Sequence, residues 1–118
     1  MLNAYIADSA QLGSDTTVGF FAVIEDNVRI GKNCSIGHGV IIHAGTVIGD
    51  GVRIDAHSVI GKPPMRAKRS IFKDEKPLPP AQVGDECLIG AQVVVYLGCE
   101  IANNVLIADG AAVRENVT

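Results

Sequence analysis

The chain holds three histidines, and two of them, His38 and His43, stand five residues apart in the stretch IGHGVIIH. The third is His57. An imidazole titrates near neutrality, so it can take the proton of an attacking amine or hydroxyl, or bind a metal as a neutral ligand. A second group of reactive side chains lies in KPPMRAKRSIFKDEKPLPPAQ, residues 62–82, which carries six of the ten Lys and Arg residues. Arg66, Lys68 and Arg69 in that run are suited to phosphate groups. The cysteines, Cys34, Cys87 and Cys99, are odd in number and irregularly spaced, which argues against a disulfide framework. What any of these residues does depends on the elements that place it.

Those elements follow from a period of six. From Ile6 through Leu12, Val18, Ile24, Ile30, Ile36, Ile42, Ile48 and Ile54 to Ile60, every sixth residue is aliphatic. The register resumes at Val83 and runs through Ile89, Val95, Ile101 and Ile107 to Val113. Four residues after each aliphatic stands a small side chain, among them all three cysteines, and Pro64 alone departs from that column. A helix needs apolar spacing near 3.6 and does not tolerate thirteen glycines in so short a chain. The pattern predicts short parallel strands joined by tight corners. Glycine directly follows eight of the sixteen aliphatics, as expected where a corner needs its conformational freedom. The cysteines then read as small inward hydrophobes, neither nucleophiles nor ligands.

This register resembles the hexapeptide-repeat family, whose fold is a left-handed parallel β-helix with three hexads per triangular coil. The resemblance implies an all-β single domain over residues 1–118, with coils at 6–61 and 83–118 and one protruding loop at 62–82. The loop holds all five prolines, no glycine and a net charge of +4, set on a chain whose total is −3. Residues eighteen apart stack on one another, about 4.8 Å apart. His38 and His57 then share one strip with the Phe20–Phe21 pair one coil below, while His43 stands at a corner above Glu25. Two adjacent outward Phe call for burial, which a threefold assembly would supply.

The resemblance is closest to the nucleotide-sugar N-acetyltransferases. In those, a hexad run is interrupted by a Pro-Arg segment and then resumes much like QVGDECLIGAQVVVYLGCEIANNVLIADGAAVRENV. Pro64-Met65-Arg66 lies where the Pro-Arg does, without the Asn that precedes it there, and IADGAAVRENV is similar to a Gly-Ala-Gly-Ala-Val-Val run. The family continues into a Gly-Asn-Pro-Ala segment and a cap, so the chain is expected to be an N-terminal fragment of a longer protein. The resemblance implies a homotrimer that moves an acyl group from acetyl-coenzyme A or another acyl-coenzyme A to an amine or hydroxyl of a sugar or nucleotide-sugar. His38 or His57 would be the base. Arg66, Lys68 and Arg69, with the corner glycines Gly98 and Gly110, would hold the cofactor, and no metal is expected.

Two alternatives stay open. IGHGVIIH also resembles the zinc-binding stretch of gamma-class carbonic anhydrases, with His38 and His43 as ligands and a third His from across a subunit interface. The other alternative is a non-catalytic trimeric scaffold.

Composition bounds the rest. Hydrophobic residues make up 47% but aromatics only 4%, with no Trp, which points to thin regular layers in place of a ring-filled core. The small net charge gives no bias toward nucleic acid or membrane surfaces. No apolar run reaches membrane-spanning length, and MLNAYIADSA lacks the marks of an export signal. A cytoplasmic address is expected.

Overall fold

In the computed structural model, which describes residues 3–65 and 78–114, the chain winds as a left-handed parallel β-helix of five coils and the first strand of a sixth. The first coil comprises β1 (Tyr5–Ile6), β2 (Gln11–Leu12) and β3 (Thr17–Val18), and the second β4 (Val23–Ile24), β5 (Arg29–Ile30) and β6 (Ser35–Ile36). The third holds β7 (Ile41–Ile42), β8 (Val47–Ile48) and β9 (Arg53–Ile54), and the fourth β10 (Val59–Lys62), β11 (Gln82–Val83) and β12 (Leu88–Ile89). The fifth holds β13 (Val94–Tyr96), β14 (Glu100–Ile101) and β15 (Leu106–Ile107), and β16 (Ala112–Val113) opens the sixth. Three parallel sheets result: sheet A from β1, β4, β7, β10, β13 and β16, sheet B from β2, β5, β8, β11 and β14, and sheet C from β3, β6, β9, β12 and β15.

Register follows the hexads. Ile24 pairs with Ile42, Ile42 with Ile60, Ile60 with Val95 and Val95 with Val113, so one aliphatic stacks on the next along sheet A. Ile24, Ile42, Ile60 and Val95 are fully buried. Each such isoleucine contributes about 1.5–3 kcal/mol relative to exposure. The small column fills the corners of the triangle, and its cysteines are buried as expected. Their thiols donate to the carbonyls of Gly49, Ala102 and Val113 at 3.1, 3.1 and 3.2 Å.

Two sequence expectations are corrected in detail. Gly61 (φ +84°) apart, the glycine after each aliphatic is not the residue in the left-handed conformation. That conformation falls two positions later, at residues such as Asn27, Gly39 and His57. The glycine is required by close approach of the coil above: a Cβ on Gly13 would lie 2.6 Å from the carbonyl carbon of Gly31. The small column is also unbroken through this region, because Ala81, fully buried, takes the place that counting had given to Pro64.

The excursion from the fourth coil therefore leaves after β10, at the corner between sheets A and B, and returns at Ala81. Its two ends are fastened to consecutive amides of the fifth coil: Leu97 N–H donates to the Lys62 carbonyl at 3.0 Å, and Gly98 N–H to the Pro79 carbonyl at 2.8 Å.

The three outer faces differ. Sheet A presents Tyr5, Val23, Ile41, Val59, Val94 and Ala112, an apolar ladder along its whole height. Sheet B presents Gln11, Arg29, Val47, Gln82 and Glu100. Among the described residues no helix is long and apolar enough to cross a membrane.

Candidate active site at the corner between sheets C and A

The turns that lead from sheet C back to sheet A stack into one edge: Phe20–Phe21, His38–Gly39, Ala56–His57, Ala91–Gln92 and Asp109–Gly110. His38 and His57 thus sit on an edge of the prism, not on a flat face, and both are exposed. The backbone joins them directly, His57 N–H donating to the His38 carbonyl at 2.9 Å.

Their rings are held differently. His38 Nδ1 accepts the backbone N–H of Phe20 at 2.8 Å, and its ring stacks on Phe20 with centroids 5.3 Å apart and planes 9° from parallel. Gly19 makes this possible, since a Cβ there would lie 2.7 Å from His38 Nδ1. The bond fixes the neutral tautomer. Nδ1 carries the occupied lone pair, so the proton resides on Nε2, which is left as the ring's donor. Four other side chains do the same for the coil beneath them. Asp50 accepts from Lys32 N–H at 3.0 Å, Asp85 from Asp50 at 2.8 Å, Asn103 from Asp85 at 2.7 Å and Asp109 from Ala91 at 2.8 Å.

His57 has no such partner. Its φ is +64°, its ring lies over Gly39, and a Cβ on Gly39 would meet His57 Nδ1 at 2.5 Å. Among the described residues its imidazole makes no hydrogen bond, so a lone pair is free to take a proton. Beside this edge an open groove on sheet C is lined by Ser35, Gly37, His38, Arg53, Asp55 and Ala56, with Arg53 Nε bonded to Asp55 at 2.8 Å. The edge as a whole offers a free imidazole nitrogen, an imidazole N–H one coil below and an adjoining polar groove.

The other expected site residues lie elsewhere. His43 is on the opposite edge of sheet A, where its Nδ1 is 3.2 Å from Glu25 Oε1, an oxygen that also accepts Ala44 N–H at 3.0 Å. A single chain therefore does not bring His38 and His43 to one ion. Among the described residues no three His, Cys, Asp or Glu side chains gather as a metal site. Gly98 and Gly110 have φ of +83° and +76°, but their N–H groups are engaged by Pro79 and Ala91 carbonyls. Neither amide is open to an oxyanion or phosphate. Arg66, Lys68 and Arg69 lie outside the described residues.

Sequence reasoning missed one cluster at the root of the excursion. Lys62 Nζ lies 5.5 Å and Arg114 Cζ 4.5 Å from the Tyr96 ring centroid. Lys62 pairs with Tyr96 through a register shift after Ile60 that six-residue counting does not reveal.

Comparison with known proteins places the fold in context. Residues 27–62 match the family model of the bacterial transferase hexapeptide (six repeats), and residues 80–115 match that of the hexapeptide repeat of succinyl-transferase. The chain belongs to the hexapeptide-repeat family. This hexapeptide-repeat chain is 30% identical over 122 residues to the bifunctional protein GlmU of Thermodesulfovibrio yellowstonii, covering 90% of the chain and 27% of that protein. It is 27% identical over 99 residues to the acyl-[acyl-carrier-protein]–UDP-N-acetylglucosamine O-acyltransferase of Brucella ovis, covering 84% of the chain and 34% of that protein. The crystal structure of LpxA, a UDP-N-acetylglucosamine acyltransferase from Bacteroides fragilis, superposes with a TM-score of 0.84 at 33% identity, over 96% of this chain and 45% of that one. The chain spans less than half the length of each of these proteins.

Proposed function

We propose that this hexapeptide-repeat chain carries the catalytic edge of an acyltransferase that moves an acyl group from acyl-coenzyme A to an amine or hydroxyl of a sugar or nucleotide-sugar. The observation that carries the reading is the His57 imidazole, which has no hydrogen-bond partner among the described residues, on an exposed edge one coil above His38, whose Nε2 holds the ring proton. The names of the Brucella and Bacteroides relatives support acyl transfer and a nucleotide-sugar acceptor. The Brucella name also specifies an acyl carrier protein as donor, so a protein-bound thioester is the competing form of the donor.

His57 is the base in this reading. As the acceptor's nitrogen or oxygen attacks the thioester carbonyl, the imidazole takes the acceptor's proton. The new bond forms, the carbonyl oxygen gains negative charge, and His38 Nε2–H donates to it. Collapse of the tetrahedral intermediate breaks the carbon–sulfur bond, and the leaving thiolate recovers the proton from His57. Arg66, Lys68 and Arg69 are assigned to the donor's phosphates on their charge. The apolar ladder of sheet A supports a homotrimer built from that face, and the Phe pair at its edge would be covered with it. A cytoplasmic address follows from where acyl-coenzyme A and nucleotide-sugars are made.

The test is calorimetric titration with acetyl-coenzyme A, followed by thiol release in the presence of UDP-N-acetylglucosamine and of amino-sugar nucleotides. Saturable binding and acceptor-dependent thiol release are expected. Silence with acetyl-coenzyme A alongside turnover of an acyl carrier protein would shift the donor. Silence with both would defeat the reading.

A further inference from the structure

The cations at the root of the excursion have a property that the acyl-transfer chemistry does not use. Tyr96 lies in the fifth coil, Lys62 comes from the coil below and Arg114 from the coil above. Two positive charges thus lie near one ring, and at 5.5 and 4.5 Å from its centroid they are no more than 10 Å apart. Among the described residues, no carboxylate pairs with either cation. Elsewhere among the described residues Arg53 pairs with Asp55 and His43 with Glu25, while Arg29 and Lys32, like Lys62 and Arg114, form no ion pair. Two like charges on one ring, with no counterion among the described residues, attract an anion.

From this geometry we infer that Lys62, Tyr96 and Arg114 form a diphosphate-binding site. The inference rests on the acyl-transfer reading only for the source of the ligand. Both side chains within cation–π distance of the Tyr96 ring are cations, so the positive charge they share is what the cluster offers a ligand. The guanidinium fork takes two oxygens and the ammonium another, through charge-assisted bonds of about 2.8 Å. A diphosphate offers oxygens at both ends to cations separated in this way, which one phosphate group does less well. Tyr96 acts as a spacer: it fixes the distance between the cations and limits their rotamers. Coenzyme A and nucleoside-diphosphate sugars share this diphosphate, and the same edge launches the basic excursion.

The experiment is calorimetric titration of the full chain with inorganic pyrophosphate, orthophosphate, ADP and UDP, repeated on Lys62→Gln, Arg114→Gln and the double variant. Circular dichroism melts check that the solenoid survives. Saturable pyrophosphate binding is expected, tighter than orthophosphate, weakened about tenfold by each single change and about a hundredfold by both. A preference for ADP assigns the site to coenzyme A, and a preference for UDP assigns it to the sugar nucleotide; either supports a diphosphate site. Failure of pyrophosphate, ADP and UDP to bind, or equal binding by a folded double variant, overturns it. Thiol release separates the two ideas: pyrophosphate binding without acyl transfer upholds the site alone, and acyl transfer with pyrophosphate binding absent or equal in the double variant removes the site alone.

Discussion

His38 Nδ1 accepts the backbone N–H of Phe20, eighteen residues earlier, at 2.8 Å, and the two rings lie parallel. The imidazole does here what Asp50, Asp85, Asn103 and Asp109 do at other turns. His38→Asn, whose amide oxygen can accept the same N–H, is expected to keep stability, whereas His38→Ala should lose about 1 kcal/mol. Chemical denaturation of the two variants checks this. Equal loss in both would remove the capping role.

His57 should behave differently. His57→Asn suits the left-handed backbone at φ +64° and preserves the fold. With no base, acyl transfer should fall by about 10²–10⁴-fold in kcat, with little change in KM. Steady-state thiol release measures both. A variant with near-normal kcat would take the base away from His57.

Thr46 is fully buried, and among the described residues its hydroxyl has no hydrogen-bond partner. Its counterparts are satisfied: Ser58 Oγ donates to the Gly90 carbonyl at 2.6 Å and accepts Val93 N–H at 3.0 Å. Above Thr46 the coil carries the shifted register at Ile60–Lys62, which breaks that pattern. Thr46→Val should therefore stabilise the chain by about 1 kcal/mol, visible as a melting temperature a few degrees higher. A lower melting temperature would mean that the hydroxyl is satisfied in solution.

The apolar face predicts an assembly. Val23→Asp with Val59→Asp should convert a trimer to monomers in light scattering, because both lie outward on sheet A. Glu100→Lys on sheet B should leave the mass unchanged. A trimer that survives the sheet A pair would exclude that face from the interface.

Burial pushes the Cys34 thiol above its ordinary range, with the nearby Asp50 charge adding to the rise. The folded chain holds the thiol proton to a higher pH than the unfolded chain does. Stability is therefore retained below the ordinary thiol value of about 8.5 and declines as pH rises beyond it. Iodoacetamide at pH 8 should leave Cys34 unmodified until denaturant is added, as intact and peptide mass spectrometry would show. Rapid labelling of the folded chain would contradict the burial.

Particular residues show how much of the fold and of the site is legible in the sequence. The aliphatic column from Ile24 to Val113 could be read by counting, because inward packing admits one side-chain class at one spacing. The histidine edge was located to the right coils, but the split between His38 and His57 could not be read. It depends on which ring nitrogen meets Phe20 N–H. A partial signal was present, since Asp50, Asp85 and Asp109 occupy the same turn slot as His38 and suggest a cap. The Lys62–Tyr96–Arg114 cluster was hidden by the bulge after Ile60. Recognising Ala81 as the missing small residue would have shown where the coil closes.

The fastening of Lys62 and Pro79 to the neighbouring amides Leu97 and Gly98 has a topological consequence. Chain connectivity at this point is dispensable to the stack, because both ends of the detour are secured by the coil above. Opening the backbone between Met65 and Leu78 would yield two polypeptides that still share the ladders β10–β13, β8–β11 and β9–β12. The solenoid is in this sense a two-piece protein joined by one strap, with a natural position for new termini or for splitting into complementing halves.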